Sequence, residues 1–302
     1  MSQRIDMHHH VVPPQFVPTT PMPVAVPSTE AQLGNMEELG IQAAVVSITP
    51  RILDANPGKI RSVVRACNEF QASLVRDHPS RFGGFAALPL PDVDGALQEI
   101  AYALDVLKLD GLGMFSNQGG RYLGDPVFDE VFAELSRRKA VVFVHPAHCE
   151  APEHTHLEAP DGIVEYIFDT TRAIVNLLYS GTLERYPGVR MIFSHGGGAA
   201  PYLLTRITGL DTNPKSGVKD AAAAMRALYY DTTSATMPGT LRCLQEVADV
   251  SHIVWGTDMP FLQGPRLRQE VHHWEKYDGF DAATKAAIEW DNAIRLLPRL
   301  GS

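Results

Sequence analysis

Cysteine is scarce in this chain, with only Cys67, Cys149 and Cys243 in 302 residues. Three thiols so widely spaced exclude a disulfide framework and suit a reducing cytoplasm. Positive charge is also short: 26 Lys and Arg stand against 35 Asp and Glu, a formal net charge of -9. An acidic chain without a basic run is a poor binder of nucleic acid or of an anionic membrane. No apolar run reaches the roughly 20 residues needed to span a bilayer. The start of the chain turns polar too soon for a signal peptide. Nucleotide-binding glycine signatures are missing as well. No Gly-x-Gly-x-x-Gly follows the first apolar run, and Gly196–Gly197–Gly198 lacks a Walker lysine.

What the chain does contain is alternation. Short apolar, β-branched runs occur at Ile5–His10, Gln42–Ile48, Arg81–Leu88, Gly111–Phe115, Ala140–His145, Val189–His195, Leu228–Asp231 and Ile253–Asp258. Between them lie stretches with helical periodicity: about 29–39, Lys59–Asp77, Gly95–Leu107, Pro126–Arg138, 163–179 and 220–227. Ser28 and Asp125 offer N-caps, and further helices are expected over 267–277 and 282–297. The stretch Pro13–Pro27 carries Pro13, Pro14, Pro18, Pro21, Pro23 and Pro27, a density that excludes helix and central strand. Continuously apolar strands alternating with helices indicate a parallel sheet covered on its faces. Eight such units in one chain of this length predict an α/β fold, a (β/α)8 TIM barrel with extra C-terminal helices, in a single domain over 1–302. A doubly wound sheet is the alternative. No internal repeat, low-complexity tract or linker interrupts the pattern.

The chemistry gathers at the strand ends. The first strand delivers His8, His9 and His10, and alternation sends His8 and His10 to one face and His9 to the other. A tag remnant is the other explanation of this cluster, but Val11–Val12–Pro13–Pro14 continues directly from it. Strand five ends in His145–Pro146, strand six in Ser194–His195–Gly196 and strand eight in Gly256–Thr257–Asp258. In a barrel these C-terminal tips open onto the one face where active sites sit. Parity puts Val141, Phe143 and His145 on one face, and Met191, Phe193 and His195 on one face. It also groups Asp6 with His8 and His10. Neutral imidazoles with a carboxylate form a transition-metal site.

The order His8-x-His10, His145, His195, Asp258 resembles the amidohydrolase superfamily. The stretches IDMHHHVVP, AVVFVHP, DTTRAIVNLLYSGTLERYPGVRMIFSHGGG and GTDMPF resemble its decarboxylase branch, the relatives of aminocarboxymuconate-semialdehyde decarboxylase and methylsalicylate decarboxylase. The resemblance implies that His8, His10, His145 and Asp258 bind one divalent metal ion, zinc or manganese. It further implies that His195 is a catalytic acid/base and that Asp258 can share the proton transfer. Binuclear members of the superfamily use a lysine on strand four, and Asp110–Phe115 has none at its tip, which favours one metal and decarboxylation. The expected activity is that of a carboxy-lyase on a small aromatic hydroxy-carboxylic acid. Metal-assisted hydrolysis of a lactone, ester or carbon–carbon bond is the alternative.

Arg206 lies on the helix after strand six. The resemblance implies that it holds a substrate carboxylate in the neighbouring subunit of a homodimer, whereas a surface helix arginine is the plain alternative. Arg51 and Arg172 are further candidates for that carboxylate. His148 and Phe261 are expected as substrate contacts, and Phe115, Trp255 and Met259 as aromatic-substrate neighbours or core. Cys149 is expected to be a buried small residue. The resemblance and the composition together imply a cytoplasmic enzyme with a small-molecule partner.

Overall fold

A computed structural model describes residues 3–148, 158, 160 and 162–301; Cys149 lies outside the described residues. Eight parallel strands run in the order of the sequence: β1 Arg4–His10, β2 Ile41–Ser47, β3 Phe82–Ala87, β4 Gly111–Phe115, β5 Val141–His145, β6 Arg190–Phe193, β7 Tyr229–Asp231 and β8 Ile253–Val254. The last strand returns to the first. Met7 N–H donates to the Trp255 carbonyl at 2.9 Å, Asp258 N–H to the His8 carbonyl at 2.8 Å and His10 N–H to the Met259 carbonyl at 2.6 Å. Closure leaves no open edge, and the expected (β/α)8 barrel is borne out.

The apolar runs are continuous because each strand buries both of its faces. Inward residues, among them Ile5, Met7, Val45, Phe85, Phe143 and Ile192, form one interior cluster. Phe85 and Phe143 stack across it with centroids 5.6 Å apart. The C-terminal segment closes the bottom of the barrel with Leu296, Leu297 and Leu300 in the same cluster. Outward residues such as Val46, Leu112, Val142 and Phe193 pack under the surrounding helices. The helix Ile60–Asp77 turns Val63, Val64, Cys67 and Leu74 inward, the apolar face its periodicity predicts. Ser28 and Asp125 cap as expected, accepting from Ala31 N–H at 3.3 Å and Val127 N–H at 2.9 Å. A helix over Pro238–Val247 and a two-stranded ribbon pairing Asn117–Gln118 with Arg121–Tyr122 were not legible beforehand. No helix among the described residues is long and apolar enough to cross a membrane.

Two parity expectations fail, each for a local reason. In β1, Asp6 pairs with Ala44 and His9 with Val46. Three steps on one strand therefore match two on the other, so Met7 and His8 together oppose Val45 in a β-bulge. The extra residue moves Asp6 to the outer side, with His9, while Met7, His8 and His10 all face inward. In β6, Met191 and Phe193 pack outward and Ile192 packs inward. His195 does not share a face with them by strand alternation, because the strand ends at Phe193.

Candidate active site

The bulge in β1 and the tips of β5, β6 and β8 bring five side chains together. Ligand atoms of His8, His10, His145 and Asp258 all lie within 4.8 Å of one another. The three imidazoles are buried, and the Asp258 side chain retains 15% exposure. Each imidazole is fixed through Nδ1. His8 Nδ1 donates to Asp231 Oδ2 at 2.6 Å, His145 Nδ1 donates to the Pro146 carbonyl at 2.8 Å, and His10 Nδ1 lies 3.1 Å from Ser47 Oγ. A carboxylate and a carbonyl only accept, so His8 and His145 must carry their proton on Nδ1. Their Nε2 atoms are left facing the common centre, as second partners of ligand histidines do. The Nε2 atoms of His8 and His10 stand 3.0 Å apart.

Charge in this cluster is strongly perturbed. Burial pushes the His8 imidazole down, but Asp231 and Asp258 outweigh it and raise its pKa to about 10. Burial holds His10 below its ordinary value, and holds His145 well below, with the neighbouring imidazoles adding to the effect. Burial raises the Asp258 carboxyl, yet the contacts of His10, His195 and His8 prevail and keep it well below the usual carboxylate range. Asp258 Oδ1 is buried with no hydrogen-bond partner among the described residues, although two imidazole nitrogens approach within 3.3 Å. A buried carboxylate oxygen without a donor is costly in a neutral cavity. Three inward nitrogens and one unpartnered carboxylate oxygen fit a divalent cation, and this His/Asp cluster can bind one metal.

His195 stands beside the quartet. Its Nε2 is 4.0 Å from Asp258 Oδ2, and its ring centroid is 5.1 Å from that of His8. It arrives there by a left-handed backbone, φ +56°, and Gly196, Gly197 and Gly198 follow with φ of +63°, +76° and +66°. A Cβ on Gly198 would meet the Ile167 carbonyl at 2.3 Å, so only glycine fits the close approach to the helix Glu165–Ser180. The triple glycine thus builds the turn that aims His195. Asp258 also has a left-handed backbone, φ +62°; with His195 it is one of five such non-glycine residues among the described residues, and these two place local strain in the cluster itself.

Asp231 escaped sequence reasoning. It is fully buried, and besides His8 it accepts from the His195 N–H at 2.8 Å and the Thr233 N–H at 3.0 Å. Its only signal was an acidic residue ending an apolar strand. Asp6 holds the opposite side of β1. It accepts from Thr257 Oγ1 at 2.5 Å, from Thr257 N–H at 3.0 Å and from His9 Nδ1 at 3.0 Å, tying β1 to β8 behind the ligands. His9 faces away, as alternation requires.

The remaining expected contacts spread outward. Phe261 packs edge-on against His10 with centroids 5.4 Å apart. His148 and Arg172 line a cavity of about 500 Å³ beside the cluster, which Phe115 also lines. Arg206 is exposed on the short helix Leu204–Ile207 and does not line that cavity. Trp255 and Met259 are buried in packing clusters away from it, Trp255 beneath the Arg4 guanidinium at 5.3 Å. Arg51 sits half-buried on the helix Pro50–Asp54 and does not line the cavity either.

Known proteins resemble this chain in sequence and in fold. The 6-methylsalicylic acid decarboxylase of Penicillium expansum is 32% identical over 98% of this chain and 97% of its own length. The 2-amino-3-carboxymuconate-6-semialdehyde decarboxylase of Dictyostelium discoideum is 25% identical over 90% of this chain and 76% of its own. A dihydroxybenzoic acid decarboxylase from Polaromonas sp. JS666, solved with bound manganese and the inhibitor 2-nitroresorcinol, superposes with a TM-score of 0.82. It is 20% identical, covering 98% of this chain and 97% of that one. The resemblance to this branch, drawn from the strand-end motifs, is borne out. A model of the amidohydrolase family matches residues 5–299, from the first barrel strand through the C-terminal plug, and the chain belongs to that family.

Proposed function

We propose that this protein is a metal-dependent decarboxylase of a small aromatic hydroxy-carboxylic acid, a hydroxybenzoate of the salicylate kind. The observation that carries the reading is the buried His8–His10–His145–Asp258 quartet with His195 beside it, on a barrel whose relatives include named decarboxylases. His8, His10, His145 and Asp258 would hold one divalent ion, zinc or manganese. When bound, the ion supplies a Lewis acid for a carboxylate and an adjacent phenolic oxygen. The protein's own part is the proton. His195 and Asp258, 4.0 Å apart, form the pair that delivers it to the ring carbon bearing the carboxylate. The carbon–carbon bond to the carboxylate then breaks, its electron pair restores the aromatic ring, and CO₂ leaves. Phe261 and His148 border the substrate.

We read the chain as a single domain, because strands and C-terminal plug share one interior cluster. Free Cys67 and Cys243 suit a cytoplasmic setting. In a homodimer the exposed Arg206 would serve the neighbouring subunit's site. Mixing Arg206→Ala with His195→Ala subunits then restores part of the activity, and no restoration removes that role.

The test of the main reading is a panel of hydroxybenzoates assayed for CO₂ release and for water incorporation. Salicylate-type acids should lose CO₂ with no ¹⁸O incorporated into the aromatic product, and chelation should abolish it until zinc or manganese is restored. Turnover of lactones or esters without CO₂ would establish the hydrolase alternative instead.

A further inference from the structure

The 500 Å³ cavity beside the metal cluster is larger than a bare hydroxybenzoate needs; pockets of about 300–1,000 Å³ hold drug-sized ligands. Phe115 and Ala147 are among its buried lining residues. Phe115 also bounds the small space against His145, and Ala147 is two residues from His145, so the cavity adjoins the quartet's side of the barrel. One wall is Pro50, Leu53, Pro57 and Ile60, which present no hydrogen-bond donor to a ligand.

The facing wall contains polar residues whose groups are turned away from the space. Asp169, fully buried on the helix Glu165–Ser180, collects them from behind. It accepts from Tyr122 Oη at 2.6 Å, from Asn117 Nδ2 at 3.0 Å, from Ala147 N–H at 3.2 Å and from Ser116 Oγ. Asn117 Oδ1 is engaged by the Gly120 N–H at 3.1 Å. That wall therefore shows the ligand a tyrosine ring, the Asn117 amide already engaged, and the Gln118 amide, whose Nε2 donates to the Phe115 carbonyl at 3.4 Å. The charged side chains of the cavity are exposed or partly exposed: Asp54 and His148 are exposed, and Arg172 keeps 39% of its side-chain surface. A wall of proline, leucine and isoleucine facing buried amides that are hydrogen-bonded within the protein, with a charged rim, describes a slot for a hydrocarbon substituent.

We infer that the cavity is a specificity pocket for an apolar chain of several carbons on the ring of the substrate, making alkyl-substituted hydroxybenzoates the preferred acids. This rests on the decarboxylase reading for the ring and its carboxylate, and on the cavity alone for the chain. Salicylates carrying methyl, propyl and pentyl groups, tested at each ring position, should show kcat/KM rising about three- to fourfold per methylene at one position. Flat or falling values with the methyl acid still turned over would overturn the pocket and leave the decarboxylase reading intact. The matching alkylphenols, titrated by calorimetry into metal-loaded enzyme, read the pocket without turnover. Kd should fall along the series even if no acid loses CO₂, and a constant Kd overturns the inference. Ile60→Trp, and separately Leu53→Phe, should narrow the slot and remove most of the chain-length gain in Kd. Full retention of that gain in both correctly folded variants would place the chain elsewhere.

Discussion

Asp231 holds His8 with one carboxylate oxygen and the backbone of His195 with the other, at 2.6 and 2.8 Å. One buried side chain on β7 thus sets both a metal-facing imidazole and the imidazole beside it. Asp231→Asn keeps the shape but replaces a carboxylate acceptor with an amide, which weakens the tautomer control of His8. Loss of such a partner costs about 10–100-fold in metal affinity. Competition against a chelator should show that loss, with activity recovering at high metal concentration. Wild-type affinity in a folded Asp231→Asn protein would mean His8 is oriented by packing alone.

Gly256 gives the site its second point of control from behind. A Cβ there would lie 2.8 Å from His8 Cβ and 2.7 Å from Thr233 Oγ1. Neither can retreat far, since His8 is pinned between Asp231 and the bulged strand. Gly256→Ala should therefore displace His8, cost about 1–3 kcal/mol of stability from overpacking, and lower metal occupancy. Metal content after gel filtration and a thermal melt check the two parts separately.

Much of this was legible because the strands are apolar on both faces and the ligands occur at their ends, followed by proline or glycine. His145–Pro146 and His195–Gly196 announce strand termini as well as imidazoles. What stayed hidden is geometry without a sequence mark. Nothing in Asp6–Met7–His8 distinguishes a bulge from a regular strand, so alternation alone puts Asp6 with His8 and His10, whereas it sits with His9 and Thr257. His195 was expected on the face of Met191 and Phe193, but left-handed backbone after Ser194 overrides the two-residue period. Asp231 reads as an ordinary strand end, because its contact with His8 is made across the intervening β8 and only barrel closure brings the two within reach.

Away from the site, Glu134 offers a pH test with a definite sign. Hydrogen bonds from Arg137 at 2.7 Å and Arg138 at 2.6 Å hold its carboxyl down from 4.5 to about 2. A depressed folded pKa adds stability above the unfolded value, and this is lost as pH falls from about 4.5 toward 2. The Glu134 side chain is 23% exposed and Arg137 65%, so solvent screening limits the contribution to about 1 kcal/mol or less. Glu134→Gln should melt about 2 °C lower than wild type at pH 7, and the gap should close as the melts are taken toward pH 2. A gap that widens on acidification would contradict the sign.

His195 lies near the His8–His10–His145–Asp258 quartet without being arranged as part of it. Its Nδ1 is buried and has no hydrogen-bond partner among the described residues, and its Nε2 faces Asp258 at 4.0 Å. The four metal-facing atoms come from other residues, and Asp231 holds the His195 backbone whatever side chain it carries. His195→Asn should therefore load metal to the same stoichiometry and melt close to wild type. General acid–base assistance is worth about 10²–10⁴-fold, so CO₂ release should fall by that factor in kcat. On the proposed role the group moves a proton in the reacting complex, so the deficit belongs in kcat, with KM for the acid changing little. A His195→Asn enzyme with normal kcat would move the proton transfer to Asp258 alone, and one that loses its metal would make His195 a ligand.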